Sequence, residues 1–287
     1  LIVTATLKPI LQYFLLNYLY ILIGSSINYF VFLKLGSTKK QAIVASVVCL
    51  SFIDVYNFSS FSLQGAWSAY FTIPLVLLSI KKIFENKRVY IIFLALAMSF
   101  AINIHILSSV LLFLVAVVYT LYLAFSYKKL SLTTILLLLM SGILTLLLSL
   151  PTLLSVIHFS HNQLSTPTPI SLQYYTLNPE SMLSSLSNIG ITDFGNPTSP
   201  LYGLTLIFDV FSFFIWKKIS KSGHLLLSSA FIIQIFISPY FPWKMLDKTP
   251  VSILQFPTRF VPIVLILFVI TFYTEKKLQN KNFLRVS

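Results

Sequence analysis

Residues 131–150, SLTTILLLLMSGILTLLLSL, run for twenty positions without one charged side chain. A helix of that composition has no polar face to turn toward water. About 20 apolar residues at 1.5 Å rise do match the hydrocarbon core of a bilayer. The run is one of nine apolar segments, at roughly 9–33, 41–56, 66–80, 89–104, 106–126, 131–150, 202–216, 224–239 and 259–274. With 57% hydrophobic and only 9% charged residues, the chain lies far from soluble proteins, where about 25% of residues are charged. In lipid every backbone polar group must be paired internally, which leaves helices or a closed barrel. Eight glycines and the lack of ten-residue alternation favour helices. The expectation is therefore an all-α, polytopic transmembrane helical bundle with about nine membrane segments. Segments 41–56 and 89–104, near 16 residues each, are short for a full crossing.

The charges order these segments. Lys34, Lys39 and Lys40; Lys81, Lys82, Lys87 and Arg88; Lys128 and Lys129; Lys217, Lys218 and Lys221; and Lys276, Lys277, Lys281 and Arg285 account for 16 of the 20 basic residues. All five clusters fall on one side if the chain crosses at each segment, and the positive-inside rule makes that side cytoplasmic. A formal charge of +13 spread over short loops forms no continuous basic face, so no nucleic-acid partner is expected. The opposite side keeps Lys8, Lys244, Lys248, Arg259 and a polar stretch of roughly 44 residues, 158–201, read as an extracytoplasmic loop. The pair 89–126 returns to the side it left, and its turn in NIHILSS places His105 at the outer surface. The chain is read as one transmembrane domain over 1–287. Because Leu1 is not Met and the orientation starts outside, it is expected to be a fragment of a longer chain with at least one span upstream.

Against this charge bias Arg259 stands out, in LQFPTRFVPI at the extracytoplasmic mouth of the last segment. Pro257 fixes its own φ and disfavours helical geometry at Phe256, so the helix is expected to start near Thr258 with Arg259 in its first turn. A helix N-terminus attracts anions, and a guanidinium adds bidentate geometry for a phosphate. The alternative is an arginine that snorkels to lipid headgroups or pairs with Asp247. Asp54, followed by Tyr56, Asn57 and Gln64, is read either as a general base or metal ligand, or as a helix cap facing the aqueous loop. His105 is either a donor to phosphate or a turn residue satisfied by backbone. Asp209 falls in mid-segment, where a carboxylate needs a partner or a water-filled cavity.

The loop adds less. His158 and His161 are three apart, but no carboxylate or cysteine at matching spacing completes a zinc site. PESMLSSLSNIG reads as a short surface helix from Pro179 to Gly190, able to cover a cavity between helices. Trp67, Tyr70, Tyr174, Tyr175, Tyr202, Phe241 and Trp243 read as an interfacial aromatic belt or as a sugar-stacking surface. Cys49 has no second cysteine to pair with. Neither GxxxxGK[ST] nor GxGxxG occurs, nor GxSxG or HExxH, so nucleotide hydrolysis and the common hydrolase elbows are not expected.

Three stretches carry a family resemblance. LQFPTRFVPI resembles a QFPxR(F/L) signature near a late span of bacterial multi-spanning proteins labelled as membrane proteins related to 6-pyruvoyl-tetrahydropterin synthase. IDVYNFSSFSLQGAWSAYFTIPLVLLSI is similar to the family's Asp-Leu-Tyr, small-residue turn with Gly-Glu, and apolar helix with proline. AINIHILSSVLLFL is similar to its short helix, histidine and returning helix. The likeness runs from about residue 10 to 274, and these proteins resemble the GT-C superfamily of polyprenyl-phosphate-dependent glycosyltransferases. Where the family has Gly-Glu this chain has Gly65-Ala66. The catalytic acid typical of GT-C enzymes sits in a first outer loop that this sequence does not contain.

The resemblance implies a GT-C-like bundle acting on a polyprenyl-phosphate-linked sugar at the extracytoplasmic face, in cell-envelope glycan synthesis. On that reading Arg259 and His105 bind the phosphate, with Gln255, Tyr56 and Gln64 as further substrate contacts. Asp54 orients the acceptor or a divalent metal ion, and 158–201 acts as a lid. The other readings are a non-catalytic transporter or flippase for lipid-linked saccharide, or an assembly protein. A transferase gathers its polar groups on the outer face, whereas a transporter needs a polar path at mid-depth.

Overall fold

A computed structural model of the protein describes residues 8–58, 69–127, 131–160, 172, 176–187, 200–249 and 257–275. All regular structure among the described residues is helical: α1 (Pro9–Leu35), α2 (Lys39–Phe58), α3 (Ile73–Phe84), α4 (Tyr90–Ile104), α5 (Ile106–Tyr127), α6 (Leu132–Ser160), α7 (Pro179–Ser187), α8 (Pro200–Ile215), α9 (Lys221–Ile237), α10 (Trp243–Leu246) and α11 (Val261–Thr274). Short 3-10 turns lead into α3 at Ala69–Thr72 and into α11 at Pro257–Phe260. The described part of each of the nine apolar segments falls mainly in a helix, and the all-α membrane class is borne out. Four stretches are long and apolar enough to cross a membrane, Pro9–Leu35, Ile106–Phe125, Leu132–His158 and Pro257–Thr274, while Tyr90–Ile104 and Lys221–Ile237 are shorter apolar helices.

The core is built round α11. Its residues from Val261 to Thr271 are all buried, as expected of a helix apolar on every side. It packs against α2, α8 and α9 and also touches α1 and α3. Phe268 stacks on Phe208 of α8 with ring centroids 5.5 Å apart, and Phe231 of α9 meets it edge-on at 6.0 Å. Lipid tails are as apolar as these side chains, so close packing and dispersion favour the association more than release of water does. At the periphery, α5 and α6 expose Phe113, Val118, Leu121, Leu139, Ile143 and Leu147, surface suited to acyl chains and costly in water.

Polar ties fasten one end of α11. Gly36 ends α1 with φ 106°, a left-handed conformation open to glycine. The next residue, Ser37, donates from Oγ to the Tyr273 carbonyl at 2.6 Å. Glu275, just past α11, accepts the Ser220 N–H at 3.0 Å and the Ser220 hydroxyl. Ser220 in turn caps α9 by accepting from the Gly223 N–H at 3.2 Å. The turns carrying Lys34, Lys39 and Lys40 and Lys217, Lys218 and Lys221 are thereby drawn to the same end of α11.

Two boundaries differ from the sequence reading. The helix expected to stop at Leu150 continues through Pro151 to Ser160. Pro151 lacks the N–H that would reach Leu147, and such breaks are tolerated in membrane helices where neighbouring groups supply hydrogen bonds. Next to this break Asn103 of α4 ties the two helices together, accepting from Thr152 Oγ1 at 2.6 Å and donating to the Leu148 carbonyl at 3.5 Å. The stretch read as loop 158–201 accordingly begins inside α6 and ends inside α8, with α7 lying against α8. At the other boundary, α11 starts at Val261 rather than near Thr258. Pro262 has no N–H for the Thr258 carbonyl, so the lead-in turn closes as 3-10 instead of α.

Candidate functional site

Arg259 sits on this proline-framed turn, at the end of α11 remote from Glu275, and is only 4% exposed. Pro257 and Thr258 beside it are buried too. Two further segments converge on it. The 3-10 turn before α3 contributes Tyr70, fully buried, whose phenol lies within electrostatic range of the guanidinium. The α4–α5 turn contributes His105, half-buried and within electrostatic reach of Arg259. Three elements distant in sequence thus bring a phenol and an imidazole within electrostatic range of one guanidinium.

The turn itself explains how His105 is held. Its backbone is extended, at φ −157° and ψ 103°, which breaks the helix after Ile104. His105 Nδ1 accepts the Ser108 N–H at 3.1 Å and lies 3.0 Å from Ser108 Oγ. The imidazole is therefore the N-cap of α5, in the role usually played by serine or aspartate. Acceptance at Nδ1 places the ring proton on Nε2. Burial, and then the positive charge of Arg259, hold the imidazole below its ordinary pKa of 6.5. With Nδ1 accepting, the ring is the neutral form, so His105 offers a donor from Nε2 without adding a second cation.

Arg259 and His105, both candidates from the sequence, lie within electrostatic range of each other. Asp54 and Tyr56 lie in the last turn of α2, with side chains outside the described residues. Gln64 and Gln255 are wholly outside them. Asp247, named as a partner for Arg259, accepts the Leu172 N–H at 2.9 Å and so anchors the long connection. Asp209 is met by Gln234 of α9, whose Nε2 donates to Oδ1 at 2.8 Å, the partner that its depth demands. His158 is on α6, and His161 lies outside the described residues. Among the described residues no three His, Cys, Asp or Glu side chains gather to share a metal ion.

Two aromatics depart from the belt reading. Tyr70 and Trp243 are buried in the bundle, the latter donating from Nε1 to the Phe236 carbonyl at 2.7 Å. Sequence reading missed Tyr70 and Ser108 as members of the site. The signal for Ser108 was present, because a polar side chain three residues before it is the spacing of a helix cap.

The fold and this site define a multi-helical membrane protein with a cation buried at one end of its central helix. More particularly, the chain belongs to the membrane protein family of the 6-pyruvoyl-tetrahydropterin synthase related domain, whose family model matches residues 2–286. No curated protein and no solved structure gives a significant match.

Proposed function

We propose that the protein is a GT-C-like membrane glycosyltransferase, or a close homologue of one, that binds a polyprenyl-phosphate-linked sugar at its extracytoplasmic face. The observation that supports this is a buried Arg259 with Tyr70 and His105 within electrostatic range of its guanidinium. A guanidinium supplies paired N–H groups to phosphate oxygens, and charge-assisted bonds of this kind are the stronger ones. His105 Nε2–H and the Tyr70 hydroxyl are neutral donors suited to the same anion. The Arg259 end of α11 is opposite the end that gathers lysine-bearing turns, which by the positive-inside rule makes it extracytoplasmic.

In transfer from such a donor, the phosphate leaves and gains charge while a base takes the acceptor's proton. Arg259 would stabilise the leaving phosphate, with Asp54 orienting the acceptor or a divalent metal ion. Gln255, Tyr56 and Gln64 would extend the contacts with the sugar, and the connection anchored through Leu172 on Asp247 would act as the lid. The pairing of Asp209 with Gln234 supports this reading over a transporter, since it gives the mid-helix carboxylate a local structural role. The test is binding and turnover of labelled polyprenyl-phosphate sugar by the full-length protein and by Arg259→Ala. Transfer by the wild type and loss of binding in the variant are expected. Equal binding by both removes the phosphate role, and binding without transfer favours a carrier.

A further inference from the structure

Away from this cluster, α1 and α4 splay over α3 to leave an apolar groove of about 820 Å³. Its polarity is uneven along its length. Lys34, in the last turn of α1, and Tyr90, the first residue of α4, line one end. Toward the other end Tyr20 and Phe100 meet edge-on with centroids 6.1 Å apart, narrowing the space between the two helices. Among the described residues Lys34 is the one charged side chain in the lining. The turn just before Tyr90 carries Lys87 and Arg88, and α2 opens with Lys39 and Lys40 directly after α1. Neither Arg259 nor Tyr70 nor His105 lines the groove.

We propose that this groove is a binding site for an anionic glycerophospholipid, with an acyl chain along α1 and α4 and the headgroup phosphate on Lys34. Charge complementarity selects this occupant: the wall is hydrocarbon-like, and the end where a headgroup would emerge is basic from three segments. Basic residues beside a membrane helix attract anionic lipid at about 1 kcal/mol each, roughly fivefold in affinity. By the orientation proposed above this lipid comes from the cytoplasmic leaflet, and it is distinct from the polyprenyl donor at Arg259. Lys34 is exposed, so its replacement disturbs no packing.

The full-length protein would be reconstituted with phosphatidylglycerol and phosphatidylcholine in equal amounts, and retained lipid counted by native mass spectrometry. The wild type should keep phosphatidylglycerol in preference, and Lys34→Glu should reduce that preference about fivefold or more. Phosphatidylglycerol with a photoreactive acyl chain should label peptides containing Phe30 and Phe93, and Arg259→Ala should leave retention unchanged. The proposal is overturned by equal retention of both lipids, by unchanged preference in Lys34→Glu, by labelling confined to other helices, or by displacement of the lipid by polyprenyl phosphate. Loss of retention in Arg259→Ala would also overturn it. Loss of donor binding in Arg259→Ala with phosphatidylglycerol retained would separate the two sites.

Discussion

Gln234 and Asp209 face each other across α9 and α8, with Nε2 donating to Oδ1 at 2.8 Å. Leaving a buried acceptor without its donor costs about 1–3 kcal/mol. Gln234→Leu should therefore lower the thermal stability of the protein in nanodiscs by that amount. Asp209→Asn, oriented with its carbonyl oxygen toward Gln234, keeps the acceptor and should cost much less. Donor binding should survive Asp209→Asn, and its loss there would point to a carrier with a polar route through the membrane.

Ser220 and Glu275 join the start of α9 to the end of α11, and Gly223 completes the contact. A methyl group added at Gly223 would lie 2.6 Å from Glu275 Oε1, closer than unbonded atoms approach, so Gly223→Ala should push the carboxylate off Ser220. Ser220→Ala removes both a helix cap and a ligand of that carboxylate, at about 1–2 kcal/mol. The double variant should lose less than the sum of the singles, because both act on one contact. Thermal melts of the four proteins measure the coupling, and strict additivity would contradict the shared contact.

His105 gives the fold a pH dependence of definite sign. Its folded pKa lies below the value of about 6.5 expected for the unfolded chain. The stabilisation tied to the neutral ring is thus present above about pH 6.5 and is lost as the pH falls below it. His105→Asn keeps a capping oxygen and does not titrate, so the melting-temperature gap between variant and wild type should shift in the variant's favour on acidification. Arg259→Ala should shrink the acid-side loss, since removing one cause of the depression brings the folded pKa closer to the unfolded one.

Much of the fold was legible because bilayer thickness sets a length scale that apolar runs must meet. The described parts of all nine runs fall mainly in helices, down to the turn at His105. The ends were less legible, for reasons visible at two prolines. At Pro151 the helix runs on past a missing N–H, beside a contact with Asn103 of another helix, and at Pro262 one missing N–H converts an α turn to 3-10. Charge scarcity made Arg259 conspicuous, whereas Tyr70 looked like any interfacial aromatic because nothing local says that its phenol comes within electrostatic range of Arg259. Glu275 escaped notice altogether, since its partners lie 55 positions away at Ser220.

The central claim is that Arg259 receives a phosphate, and direct binding measures it best. Titrating the full-length protein in nanodiscs with polyprenyl phosphate should give an affinity about 10- to 100-fold weaker for Arg259→Ala, matching about 1.5–3 kcal/mol for a charge-assisted pair. Arg259→Lys, which keeps the charge but not the paired geometry, should fall between. Identical affinities for the wild type and Arg259→Ala, with both proteins folded, would contradict the account.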